Sequence, residues 1–252
     1  MEHKEYIRVK KEANTAVLFI HGILGSPRHF DDFIKNMPEN ISVYNMLLKG
    51  HGKGVKDFAK ASMKEWKKQT AKLSEKLCRE YDNVIIAAHS MGTFFAMEEA
   101  VKHPDKIKHI FLLQSPLKIA VKPMAFVNTF KVFFNIMDDE ASRAYKNSHS
   151  IKLNMRFWEY IGWIPRYLEL FKESKDSRSA ILKLKTPCSI YQSAKDELVS
   201  KKSVKYIPDK PNIKLYVLEN STHFIYDKND FSKMLLNFVR IVTAADEKSC
   251  LY

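Results

Sequence analysis

Asn83-Val84-Ile85-Ile86-Ala87-Ala88-His89-Ser90-Met91-Gly92-Thr93 is the stretch whose reading decides the fold. An apolar run of strand length ends in a serine held between small residues. An amphipathic segment, Phe94-Phe95-Ala96-Met97-Glu98-Glu99-Ala100-Val101-Lys102, follows. The order is strand, tight turn, helix, with Ser90 at the apex. A serine so placed projects its hydroxyl above the end of a sheet, and the turn accepts only small neighbours. The usual pattern is G-x-S-x-G; Ala88 stands here for the first glycine and keeps the small volume.

Outward from that turn the chain alternates strands and helices. Upstream, a short strand is expected near Tyr6–Val9. The run Ala16–Ile20 is apolar throughout, as a strand covered on both faces should be. It ends in the loop His21-Gly22-Ile23-Leu24-Gly25-Ser26-Pro27, where proline suits the first turn of a helix. Ile41–Leu48 reads as the next strand, and Lys49-Gly50-His51-Gly52-Lys53-Gly54 closes it. That loop fails G-x-G-x-x-G at Val55 and lacks the ending of a P-loop, so no nucleotide site is expected. Met63–Tyr81 has helical rhythm, with Trp66, Leu73 and Leu77 on one side. Downstream, Lys108–Gln114, Cys188–Gln192 and Ile213–Leu218 read as strands, and Lys228–Val242 as a closing helix. Such alternation predicts an α/β architecture with a mostly parallel sheet flanked by helices. Residues 1–116 and 186–252 form the expected core, and 117–185 an insert.

The 252 residues suit one large domain, and 45% hydrophobic composition fits a buried core. A net charge of +13 raises nucleic acid or anionic lipid as partners. The lysines are scattered with no block of five or six, so the charge reads as a solvated surface and no nucleic-acid partner is expected. Cys78, Cys188 and Cys250 are odd in number and lack metal-ligand spacing, which fits reduced thiols. The first twelve residues lack the apolar core of a signal peptide, and no run reaches the roughly 18 apolar residues that span a bilayer. A cytoplasmic protein is the expectation.

In the insert, Phe126, Phe130, Phe133, Phe134 and Met137 recur at spacings that describe one helix face; Phe157, Trp158, Tyr160, Trp163 and Tyr167 follow. The insert leaves the sheet at the edge that presents Ser90. An aromatic lid over an apolar pocket is expected there, with Phe126, Phe130 and Trp158 against the substrate.

A serine hydroxyl is a poor nucleophile until an oriented base removes its proton. Sheets of this kind supply the acid and then the histidine after the serine in chain order. Asp196 lies a few residues past the strand Cys188–Gln192, and His223 a few past Ile213–Leu218. Three side chains at the ends of three parallel strands lie at one sheet edge. Glu197 is the rival acid, but the turn aims Asp196 more naturally. Asp138, Asp139 and Asp227 read as surface charges; His103 and His109 read as element ends, His29 and His149 lack a strand-end setting, and His51 lies in a glycine loop with a structural role or a place beside the site. His89 precedes the nucleophile and either packs beneath the turn or lines the site. The oxyanion donors are expected to be the backbone N–H of Met91, at a helix N-terminus, and of Ile23, with Gly22 and Leu24 beside the substrate.

His21-Gly22-Ile23-Leu24-Gly25-Ser26-Pro27, Lys49-Gly50-His51-Gly52, Ala88-His89-Ser90-Met91-Gly92, Asp196 and Ser221-Thr222-His223 together resemble the α/β-hydrolase fold. Within it they are similar to the bacterial carboxylesterase and monoacylglycerol-lipase branch, which shares motifs with serine aminopeptidases. The resemblance implies hydrolysis of a carboxylic ester through an acyl-enzyme, without cofactor or metal. It also implies a helical cap between the sixth and seventh core strands. The expected partner is a small-molecule ester with an apolar acyl group, short to medium in length or a monoacylglycerol. Transient contact with an anionic lipid surface, and action as a monomer or homodimer, complete the expectation. Peptidase or acyltransferase chemistry on the same triad, and a ligand-binding protein without catalysis, are the alternatives.

Overall fold

The computed structural model describes residues 3–136 and 138–247, and of Phe126 the backbone alone. Met137 and Cys250 lie outside the described residues, as does the side chain of Phe126. In chain order the elements are β1 (Tyr6–Arg8), β2 (Thr15–Ile20), α1 (Asp31–Lys35), β3 (Ser42–Met46), α2 (Val55–Lys60), α3 (Met63–Glu80), β4 (Asn83–His89) and α4 (Gly92–Lys102). There follow β5 (Ile107–Leu113), α5 (Pro123–Phe133), α6 (Glu140–Ser148), α7 (Ile164–Lys183), β6 (Cys188–Ser193), β7 (Ile213–Leu218) and α8 (Lys228–Glu247). The helix expected from Pro27 is a 3₁₀ turn, Pro27–Phe30, that runs into α1.

The seven strands form one sheet in the order β1-β3-β2-β4-β5-β6-β7. Only β1 runs antiparallel, against β3; the other pairs are parallel. Every residue of β2 and β4 is buried, because helices cover both faces. Successive side chains point to opposite faces. Ala16, Leu18, Ile20, Val84, Ile86 and Ala88 pack with Trp66 and Leu77 of α3 and Phe94 and Phe95 of α4. Val17, Phe19, Ile85 and Ala87 pack with Phe30, Phe33 and, from α8, Met234, Phe238 and Val242. The carboxyl ends of the parallel strands therefore share one edge, where open α/β sheets place their sites.

The insert lies between β5 and β6, the fifth and sixth strands among the described residues, one lower than the numbering the resemblance carries. It makes α5, α6, a 3₁₀ segment (Phe157–Trp163) and α7. Ile181 and Leu184 join the core cluster of β4, β5 and β6, so the chain re-enters the core layer before residue 185. No helix among the described residues is long and apolar enough to cross a membrane.

Candidate active site

The central strand β4 feeds Ser90 into a left-handed backbone conformation, φ +51°. A non-glycine residue there is strained, and the surroundings must hold it. The Ser90 N–H donates to the Leu113 carbonyl at 2.8 Å. Its own carbonyl accepts from the Thr93 N–H at 3.0 Å and the Thr93 hydroxyl at 2.6 Å. Glycine is required two residues on: a Cβ on Gly92 would lie 2.4 Å from the Ile20 carbonyl oxygen, so α4 could not start this close to β2. Ala88 is fully buried in the core cluster.

Asp196 and His223 follow β6 and β7. Asp196 Oδ1 accepts from the N–H groups of Leu198 and Val199, both at 2.8 Å, which fixes the carboxylate plane. Its Oδ2 lies 2.8 Å from His223 Nδ1. A carboxylate only accepts, so Nδ1–H donates and Nε2 is left as the basic nitrogen. Both side chains are about 2% exposed. Burial pulls the His223 imidazole down, but the Asp196 charge and hydrogen bond, with the Glu197 charge, outweigh it and hold it above its usual value. The His223 loop is set by Ser221, whose hydroxyl donates to Asp230 at 2.8 Å and accepts from the Asp227 N–H at 3.0 Å.

The loop after β2 approaches Ser90 closely: a Cβ on Gly22 would meet Ser90 Cβ at 2.8 Å. The Gly25 N–H donates to the Gly22 carbonyl at 3.0 Å, and Leu24 takes φ +55°. His21 fixes the loop from below. Its Nε2 accepts from the Leu48 N–H at 3.0 Å, so Nδ1–H donates to the Gly22 carbonyl at 2.8 Å. Burial keeps His21 neutral, lowering it to about 4. The N–H groups of Ile23 and Met91 take no acceptor among the described residues, and Met91 begins the turn into α4.

Ser90 lines a cavity of about 410 Å³. Ile23, Leu24 and Pro116 line it from the core, and Ile119, Val121, Ala125, Thr129, Tyr145, Tyr167, Leu170 and Phe171 from the insert. Leu198, Val199, His149 and Phe224 complete it, and no Asp or Glu is among the lining residues. Sequence reasoning missed most of these walls. Leu198, Val199 and Phe224 could have been found, since each directly follows or nearly follows Asp196 or His223.

Four expected substrate contacts are corrected, Gly22 first: its loop packs on Ser90, but it is not among the cavity's lining residues. Phe130 is 58% exposed and Trp158 67%, and neither lines the cavity. α5 turns Ala125 and Thr129 inward, one helical turn apart, which sends Phe130 outward to pack on Phe134 at 4.5 Å. The segment Phe157–Trp163 buries Trp163 and leaves Trp158 facing out. His89 is buried behind the site, between the rings of His29 (3.9 Å) and His223 (4.8 Å), and its Nε2–H donates to the His223 carbonyl. Burial lowers His29 to about 3 and holds His89 well below its usual value, so both stay neutral. The expected contact at Phe126 concerns a side chain outside the described residues. Among the described residues no three His, Cys, Asp or Glu side chains gather as a metal site.

A family model described as serine aminopeptidase, S33, matches residues 11–226. A search of curated protein sequences returns no significant match. A structure reported with LipS and LipT, two metagenome-derived lipolytic enzymes, superposes with TM-score 0.71 at 18% identity, covering 96% of this chain and 98% of that one. The monoacylglycerol lipase of Paleococcus ferrophilus gives 0.69 at 16% identity, covering 97% and 100%. A soluble variant of monoglyceride lipase from Saccharomyces cerevisiae gives 0.66 at 15% identity, covering 96% and 91%. The chain has the α/β-hydrolase fold and belongs to the serine aminopeptidase S33 family of hydrolases.

Proposed function

We propose that the protein is a serine hydrolase that cleaves esters of short-to-medium acyl chains or monoacylglycerols. Ser90 attacks the ester carbonyl while His223 Nε2 takes its proton, and Asp196 holds the imidazolium that forms. The Ile23 and Met91 N–H groups stabilise the oxyanion. Collapse of the tetrahedral intermediate expels the alcohol, which leaves with the proton from His223. Water activated by His223 then releases the acid and restores Ser90.

The observation that carries this reading is the wall of the Ser90 cavity, apolar and without a carboxylate. An aminopeptidase would need an acidic anchor for the substrate amine. Asp138 and Asp139 are tied to Lys131, and Asp139 also caps α6 by accepting from the Ser142 N–H. Glu140 faces a different cavity, beside Arg28 and Lys35. The lipolytic enzymes and the monoacylglycerol lipase among the structural relatives agree with an apolar acyl group. The outward Met124, Phe130, Trp158 and Ile161 of the insert support transient contact with a lipid surface, and the buried free thiols of Cys78 and Cys188 support a reducing, cytoplasmic setting.

The test is a series of p-nitrophenyl esters of rising acyl length beside aminoacyl p-nitroanilides. Turnover of esters that peaks at an intermediate length, with anilides slower by orders of magnitude, is expected. Faster anilide turnover would overturn the ester reading.

A further inference from the structure

Glu197 follows Asp196 directly, yet its carboxylate meets the backbone N–H of His223 where that of Asp196 meets the imidazole. It is 6% exposed. Its Oε1 accepts from the Tyr145 hydroxyl at 2.6 Å, and its Oε2 from the backbone N–H of His223 at 3.2 Å. Both oxygens accept, which is the pattern of an ionised carboxylate. A second buried charge beside the first is costly and is retained only where its partners hold it. Those partners come from opposite sides of the site: His223 from the loop after β7, and Tyr145 from α6 of the insert, where its ring also lines the Ser90 cavity.

The same acid loop is laced to the start of the insert. The Ala120 N–H donates to the Leu198 carbonyl at 3.0 Å, and the Ser200 N–H to the Lys118 carbonyl at 2.9 Å. Ile119 and Val199 bridge as a short antiparallel pair. The Lys122 N–H donates to the Glu197 carbonyl at 2.8 Å, and its ammonium to the Asp196 carbonyl. Insert, acid loop and histidine loop thus form one hydrogen-bonded body, in which the Glu197 carboxylate bonds both Tyr145 of the insert and the His223 backbone.

We propose that Glu197 is a positioning residue that clamps the His223 backbone to Tyr145, so that seating of the insert over the cavity sets the aim of the base. This rests on the serine-hydrolase reading above. Its charge also acts on the imidazole. The titratable groups set against His223 are Asp196 and Glu197 on the acid loop, His89 on β4 and His29 on the 3₁₀ turn; Tyr145 on α6 and His149 just after it pack on the neighbouring Phe224 ring, and Tyr226 lies before α8. Lys122 approaches through the Asp196 carbonyl. Burial keeps His29, His89 and His149 neutral. The negative charges that favour the imidazolium are then the two carboxylates, and Glu197 adds to Asp196 in raising His223.

Glu197→Gln separates charge from geometry. The amide oxygen can still accept from the His223 N–H, and the amide NH₂ can donate to the Tyr145 oxygen, which accepts as well as donates. The acid limb of the kcat/KM profile should move to lower pH by roughly half a unit to one unit, since a less directly aimed charge does less than the 1–3 units of a facing one. Glu197→Ala should lower kcat about tenfold with a smaller change in KM, as a misaimed base does. Tyr145→Phe keeps the ring and the Glu197 charge. It should lower kcat severalfold without moving the acid limb down, and adding it to Glu197→Ala should cost nothing further.

Fluorophosphonate titration of wild type and variants is done first. Failure to label wild-type Ser90 would overturn the parent reading and the clamp with it. Label on Ser90, with Glu197→Ala and Tyr145→Phe both turning over at the wild-type kcat, overturns the clamp alone. Additive losses in the double variant do the same. Should Glu197→Ala fail to fold, the Tyr145→Phe rate decides.

Discussion

Gly22→Ala adds one methyl group where the loop after β2 meets the serine turn. The new Cβ would stand 2.8 Å from Ser90 Cβ, 3.3 Å from the His89 carbonyl oxygen and 3.4 Å from Ser90 Oγ. Carbon atoms pack best at about 3.5–4.0 Å, so the loop and the serine turn must separate by roughly 0.7 Å. The serine turn resists through its bonds to Leu113 and Thr93, and the loop through Gly25 and the His21 imidazole. Whichever yields, the Ile23 N–H and Ser90 Oγ move apart. Loss of one oxyanion donor costs about 10²–10³ in kcat. The overpacking costs about 1–3 kcal/mol of stability, which leaves the domain folded. A p-nitrophenyl ester assay on protein with a cooperative melt should therefore show kcat down by at least about 10². A folded variant within about threefold of wild-type kcat would refute the placement of the oxyanion site.

Asp196→Asn should lower kcat by about 10⁴ with the fold intact, because the His223 tautomer is lost while the Leu198 and Val199 bonds survive; a loss under about tenfold in steady-state kinetics contradicts this. His223 must be neutral to act as a base and lies above 6.5, so kcat/KM should rise with pH through a value above 6.5; a midpoint below 6.5 contradicts the assignment. His21 near 4 and His29 near 3 are neutral in the fold, whereas the unfolded chain takes up protons below about 6.5. Stability is therefore full above that value and falls as pH drops toward 4, on the order of 3 kcal/mol for His21 alone, and a melting temperature that stays flat down to about pH 5 would contradict it. Ala125→Phe fills the insert side of the cavity and should move the best acyl length to shorter chains in the ester series; an unmoved optimum would remove that wall from the acyl site.

The parts of the site carried by strand ends were readable in the sequence because each lies within a few residues of an apolar run. Ser90 needs small neighbours, Asp196 and His223 each follow a strand, and His21-Gly22 closes another. The backbone positions of these groups follow from where the sheet stops. The cavity walls were not readable, because helical spacing shows that a face exists but not which way it turns. In α5 Phe130 marks the outer face and the modest Ala125 and Thr129 the inner one. In the sequence Glu197 reads only as a rival to Asp196, since adjacency alone cannot tell a carboxylate that meets an imidazole from one that meets a backbone N–H.

The central claim is that Ser90 becomes acylated. Its direct test is labelling of the intact protein with a fluorophosphonate, followed by peptide mapping by mass spectrometry, beside Ser90→Ala. The account predicts stoichiometric label on Ser90, blocked by prior incubation with an ester substrate, and none in the variant. Label on another residue, or an unlabelled wild type that still turns over esters, would contradict it.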